Sequence, residues 1–138
     1  MSIPLRHTFW KTSVVVLSLA LILVALPHTL EDFAQGEPAK HGAAAPVLAE
    51  IVAGLFALQG WALFELGSQQ RRGYLVHAGL GVLWPLAAGS AQLPVIFTGQ
   101  PYRAGFVSLF YVFGMLSVGL LLLLAAWQGW RTASPQAN

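Results

Sequence analysis

The residue with the most chemistry to offer is Glu50, a carboxylate inside the otherwise apolar run Ala43–Leu66. An acid at the centre of a membrane-spanning helix costs about 2.5–3.5 kcal/mol, falling toward the interfaces, so Glu50 is expected to face the bundle and to have a partner there. At helical spacing it aligns with Gly54, Ala57, Trp61 and Glu65. A second stripe, on the next apolar run, aligns His77, Gly81, Trp84, Ala88 and Gln92. The small residues in both stripes would let two helices approach closely. The seam between them is therefore the expected place for a proton, cation or small-molecule site built from Glu50, Gln92, Trp61 and Trp84. By depth, Gln92 is the expected partner of Glu50, with Ser90 or Tyr111 as substitutes. The plainer alternative is a carboxylate that only clamps two helices together.

Two further groups could do chemistry. Glu65 and His77 fall near one boundary of their runs, close to Arg71 and Arg72, and read as a polar pair at headgroup level. His77 as one ligand of a bis-histidine haem is disfavoured, because no second histidine lies at its depth. His28, Glu31 and Asp32 are spaced i, i+3, i+4, which is one face of a helix, and His41 follows in a loop. Imidazoles with carboxylates suit zinc, iron or copper, although this is not an established ligand spacing. The alternative is a set of helix-capping and solvated residues. No nucleophile–base set, phosphate-binding glycine loop or metalloprotease motif occurs, and these residues specify no cofactor. The absence of cysteine excludes disulfides, thiolate metal ligands and Cys-ligated iron–sulfur clusters.

These residues sit on four apolar runs, about 9–27, 43–66, 74–92 and 105–127, each near the roughly 20 residues an α-helix needs to cross a bilayer. The chain is 57% hydrophobic and 9% charged, so in water it would expose large apolar patches, whereas in lipid the same surface is appropriate. The expected fold is an all-α integral membrane protein: one four-helix bundle over residues 1–131, with antiparallel neighbours and a disordered tail at 132–138. The N-terminal run resembles a signal peptide but lacks a suitable cleavage motif, so it is expected to remain as the first helix. Nucleic acid is not an expected partner, since no basic stripe with interleaved aromatics exists.

Basic residues set the expected orientation. Arg6, Lys11, Arg71, Arg72 and Arg131 fall on one side of four crossings, and Lys40 and Arg103 on the other. Both termini are therefore expected in the cytoplasm, with interfacial belts of Trp10, Tyr74, Tyr102, Trp127 and Trp130. Thr29-Leu30-Glu31-Asp32 reads as the capped start of a short helix at the outer surface, stopped by Gly36. Pro85 should bend the third helix. The fourth helix, with Leu120–Leu124, is expected to face lipid or a partner.

Four short helices, an acid in the second (Glu50) and basic residues in the following turn (Arg71, Arg72) loosely resemble DoxX-like small bacterial membrane proteins. The resemblance is one of architecture and implies a small polytopic fold. The long His28–Gly42 loop departs from it. Three functional readings follow. The first is a non-enzymatic subunit or accessory protein of a larger bacterial inner-membrane complex. The second is a small-molecule or ion binder or transporter, acting as a homo-oligomer around Glu50. The third is a membrane redox or lipid-modifying enzyme. The expected partners are the lipid bilayer and other membrane subunits or further copies of the chain.

Overall fold

The computed structural model describes residues 3–40, 42–99 and 101–133, with side chains from Thr8 onward. The described residues form α1 (Ile3–Ala34), α2 (Glu37–Lys40), α3 (Ala45–Gly67), α4 (Arg71–Ile96) and α5 (Phe106–Thr132). Four of these, α1, α3, α4 and α5, are long and apolar enough to cross a membrane. The protein is an all-helical bundle of the kind a membrane protein forms.

Three of the helices, α1, α4 and α5, run further than their apolar runs do. α1 continues straight through Pro27 to Ala34. Thr29 is therefore not a cap: its hydroxyl donates back to the Ala25 carbonyl at 2.7 Å, a bond made in a helix interior. The proline removes only its own N–H from the ladder. Helical spacing of Thr29, Glu31, Asp32 and Phe33 then carries the acids to the end of α1. Gly36, at φ +68°, ends the run as its sequence suggests, because that left-handed conformation suits a residue with no Cβ. The short helix after it is α2, a single turn, not a helix beginning at Thr29. α4 likewise runs through both Pro85 and Pro94. Thr132, the first residue of the expected tail, is the last residue of α5; residues 134–138 lie outside the described residues.

The order of burial among the helices differs from expectation. α5 is central, packing most extensively against α4 and α1, and α3 is the peripheral helix. Glycines explain this. A Cβ on Gly81 of α4 would lie 2.7 Å from the Leu123 backbone nitrogen and 2.8 Å from the Gly119 carbonyl oxygen. Gly119 is pressed against the Pro85 ring, and Gly129 against the Tyr74 ring. Small residues thus bring α4 and α5 to backbone contact. The leucine run splits accordingly: Leu122 is buried, while Leu120, Leu121 and Leu124 point outward. Tyr74 and Tyr102, expected in interfacial belts, are both buried.

A polar clamp ties α1, α3 and α4 together inside the bundle. His77 Nδ1 lies 2.7 Å from the Gly73 carbonyl, and its Nε2 lies 3.0 Å from Ser18 Oγ. A carbonyl only accepts, so Nδ1 carries the proton and Nε2 accepts from the serine hydroxyl. Gln59 Nε2 in turn donates to Ser18 Oγ at 2.9 Å and to the Ser18 carbonyl at 3.0 Å. All three side chains are fully or almost fully buried.

Candidate functional site

The polar residues gather at the end of the bundle that carries the 97–105 connection. Arg103 is the hub. Its guanidinium pairs with Asp32 of α1, donates to Gln92 Oε1 of α4 at 3.1 Å, and lies 3.7 Å from Glu37 Oε1 of α2. Tyr102 donates its hydroxyl to the same Gln92 oxygen at 2.6 Å. Lys40 closes on Glu37 at 2.8 Å. Ser108, the first buried residue of α5, donates to Glu31 and accepts from the Ala104 amide at 3.1 Å. One connection, the single-turn α2 and the ends of three long helices are thereby fastened to one another.

Burial disfavours the Arg103 cation, but the hydrogen bond and charge of Asp32 outweigh it, and the guanidinium pKa is raised. Burial also holds the Tyr102 phenol protonated, pushing its pKa up to about 12.

Below this cap lies a part-open cavity of about 260 Å³ between α1, α2, α3 and α4, with Met115 of α5 contributing to its wall. Its lining is chiefly apolar: Phe33, Leu48, Val52, Ala87 and Ala88 are representative. The polar exceptions are His28, Thr29, Asp32, Glu37, Gln92 and the Trp84 indole. Trp84 is 4% exposed, its ring lies against Phe56 at 5.3 Å, and its Nε1–H has no acceptor among the described residues. His28 Nδ1 and Glu31 Oε2 are likewise buried without a hydrogen bond, 4.0 Å from each other.

The residues singled out by sequence are distributed unevenly over this geometry. Gln92 and Trp84 lie on the cavity. Glu50 does not. It is exposed on the outward face of α3, without a described partner, and so are Gly54, Ala57 and Trp61. The α3 half of the expected seam is thus turned outward apart from Glu65, while the α4 half, His77, Gly81, Trp84, Ala88 and Gln92, is buried. Gln59, Ala62, Glu65 and Leu66 form the buried side of α3 instead, and Gln92 is already engaged by Tyr102 and Arg103. Ser90 donates to its own helix at Ala87, and Tyr111 packs beside Phe110. Trp61 is 42% exposed and stacks under Arg72, whose guanidinium carbon lies 5.5 Å from the ring centre.

Glu65 and His77 do not pair. Glu65 is bridged through both oxygens by Arg72, across the tight 68–70 turn, while both ring nitrogens of His77 are taken by Gly73 and Ser18. His28, Glu31 and Asp32 do share one face, with His28 Nε2 3.6 Å from Asp32 Oδ2. Glu31 is committed to Ser108 and Asp32 to Arg103, and no group of three His, Asp or Glu residues among those described is arranged to hold a metal ion. His41 lies outside the described residues.

Sequence reasoning passed over Arg103, which it counted only as a charge, and over Ser18, Gln59 and Ser108. Gln59 carried a readable signal: it is the only amide within the apolar run of α3.

Comparison with known proteins yields no match to a protein family, to a curated relative or to a solved structure. The site is therefore read from its own geometry.

Proposed function

We propose that the chain is a small polytopic protein of the bacterial inner membrane whose role is to bind a small lipophilic molecule in the cavity beneath Arg103. In this reading the chain crosses the membrane four times with antiparallel neighbours, both termini are cytoplasmic and the 97–105 connection is outside. The charge bias of Arg6, Lys11, Arg71, Arg72 and Arg131 supports this orientation. The observation that carries the binding role is the cavity itself, which is apolar-walled, with a few polar groups at defined positions. Ligand sites commonly have this make-up. An engineered apolar cavity of about 150 Å³ takes up benzene, so the 260 Å³ here accommodates one substituted ring.

The test is calorimetric titration of the full chain in lipid nanodiscs with 1,2,4,5-tetramethylbenzene, beside an Ala88→Leu variant that fills the cavity. Saturable binding weakened roughly tenfold in the variant, about 1.4 kcal/mol, supports the reading. Equal titration of both proteins, or none of either, overturns it. Reporter fusions at Gln69 and Asn138 should both read cytoplasmic, and an external Asn138 contradicts the four crossings.

One observation favours a second role, as a subunit of a larger membrane complex or homo-oligomer. The outward face of α3 presents Glu50 beside the small residues Gly54 and Ala57. A carboxylate on the outer face of a membrane helix is costly until another helix supplies a donor. Glu50→Ala should weaken a stable assembly recovered from native membranes. Recovery of the chain alone, with or without the substitution, counts against this role.

A further inference from the structure

The charges around the cavity do not balance. Among the described residues the cap holds three carboxylates, Glu31, Asp32 and Glu37, against two permanent cations, Lys40 and Arg103, so with His28 neutral one negative charge is left over. Arg103 takes Asp32 and Lys40 takes Glu37, which leaves Glu31 with only the neutral Ser108 hydroxyl as a donor. A part-buried carboxylate with no counter-charge is costly. His28 is placed to relieve it with a proton. Its ring is 3% exposed and lies between two of the acids, with Nδ1 4.0 Å from Glu31 Oε2 and Nε2 3.6 Å from Asp32 Oδ2. Both contacts are too long for hydrogen bonds, and an imidazolium would draw both in, since each of its nitrogens is then a donor. The other charged or titratable groups around this ring are Glu37 and Lys40 of α2 and Tyr102 and Arg103 of the 97–105 connection, while α4 contributes the uncharged Gln92, α5 Ser108 and α3 only Leu48 and Val52.

Of the charged residues in this cap only Asp32 and Glu37 line the cavity; Lys40 and Arg103 do not. The Asp32 side chain is 26% exposed, and its Oδ2 carries no hydrogen bond among the described residues. Resting on the binding role above, we propose that the ligand is a ring-sized lipophilic organic cation, with its charged head at Asp32 and its apolar body against Leu48, Val52 and Ala88, and that its binding expels the one proton that otherwise balances the cap. The balance is simple: one positive charge enters the site and one proton leaves His28 for bulk water. A cation beside Asp32 repels the imidazolium and takes over its counter-charge, which favours the neutral ring. The apolar walls, and the lack of any three described His, Asp or Glu residues arranged around a metal ion, fit an organic cation rather than a bare metal. A hydrocarbon of the same shape meets the same walls but leaves the proton in place.

The experiment compares two probes of equal shape on the full chain in phosphatidylcholine nanodiscs: benzyltrimethylammonium, whose charge is fixed at every pH, and 2,2-dimethylpropylbenzene, its uncharged isostere. Calorimetric titrations run between about pH 5 and pH 8, the range in which a histidine exchanges its proton. At the upper end the cation should bind roughly tenfold or more tighter than the hydrocarbon. Toward low pH its affinity should fall by up to about tenfold per unit, because the proton competes with it, while the hydrocarbon's stays level. Parallel titrations in two buffers of different ionisation enthalpy should count about one proton released per cation bound. Glu31→Gln, which keeps an acceptor for Ser108 and alters no cavity wall, should erase both the preference and the proton release, and His28→Gln should flatten the pH dependence. Equal affinity of the two probes overturns the cation inference and leaves the binding role standing. A cation preference without proton release, one that survives Glu31→Gln, or cation binding untouched by Ala88→Leu overturns it too. Should Glu31→Gln bind neither probe, the proton count on the wild-type chain decides. Failure of both probes on the wild-type chain removes the binding role itself, a different result from loss of charge selectivity.

Discussion

His77 Nε2 accepts a hydrogen bond from Ser18 Oγ at 3.0 Å, a contact between α4 and α1 across 59 residues of sequence. The bond fixes the imidazole in its Nδ1–H tautomer, because the Gly73 carbonyl takes the other nitrogen. Ser18→Ala removes the donor to His77 and one of the two acceptors of Gln59 without adding bulk. The buried imidazole nitrogen is then orphaned, at a cost of about 1–3 kcal/mol. Reversible unfolding in mixed micelles should show that loss. Ser18→Thr, which keeps the hydroxyl, should lose less.

The α4–α5 contact depends on the absence of two methyl groups. Replacing a helical glycine by alanine favours an isolated helix by about 1 kcal/mol. At Gly81 the added Cβ would lie 2.7–2.8 Å from backbone atoms of Leu123 and Gly119, and backbone cannot rotate away. Gly81→Ala and Gly119→Ala should therefore both lower the unfolding midpoint. Gly54→Ala, with nothing within 4 Å, should leave it unchanged or raise it. A stabilised Gly81→Ala would show that the two helices are not in backbone contact.

Arg103 and Asp32 are interdependent. Removing either partner leaves the other charged and half-buried, and Arg103→Gln or Asp32→Asn alone should cost about 1.5–3 kcal/mol, the worth of a hydrogen bond to a charged group. The double variant should cost less than the sum. A double-mutant cycle on unfolding free energies measures the difference, and strict additivity would mean that the pair is not formed.

Tyr102 supplies a pH signature. Its phenol titrates near 12 in the folded protein, against an ordinary value of 10.0, because burial disfavours the phenolate. The raised pKa means that folding favours the protonated form. This contribution is fully present below pH 10 and is lost as pH rises from 10 to about 12. Ultraviolet titration should show a late tyrosinate component that shrinks by one tyrosine in Tyr102→Phe, and the variant's stability should fall less steeply over that range.

Much of the fold was legible because its signal is additive. Four apolar runs specify four long helices whatever their packing, and Gly36 marks the end of α1 through its backbone alone. The facing of α4 was legible, since its stripe of His77, Gly81, Trp84, Ala88 and Gln92 is buried, but that of α3 was not. Glu50, Gly54, Ala57 and Trp61 form a stripe that suits a neighbour, and the sequence of α3 does not say whether that neighbour lies inside the chain. Hydrophobic periodicity separates core from surface only where the surface is polar, and a membrane helix is apolar all round. The decisive information for α5 was volume rather than polarity, in Gly119 and Gly129. Of the candidate site, His28, Asp32, Gln92 and Trp84 were identified as chemistry-bearing residues. Their convergence was not, because it depends on Arg103 folding back from a connection onto α1, α2 and α4.

The most direct measurement of the central claim is the indole N–H resonance of Trp84 in ¹⁵N-tryptophan-labelled protein in nanodiscs, assigned by its loss in Trp84→Phe. The chain has 5 tryptophans, and Trp61 and Trp127, which are exposed on the bundle surface, serve as internal controls. Titration with 1,2,4,5-tetramethylbenzene should shift the Trp84 N–H resonance in a saturable manner, as the ring enters the cavity that Trp84 lines, with the surface tryptophans unmoved. A Trp84 resonance that stays fixed while the surface tryptophans shift would place the molecule in the lipid around the bundle and contradict the account.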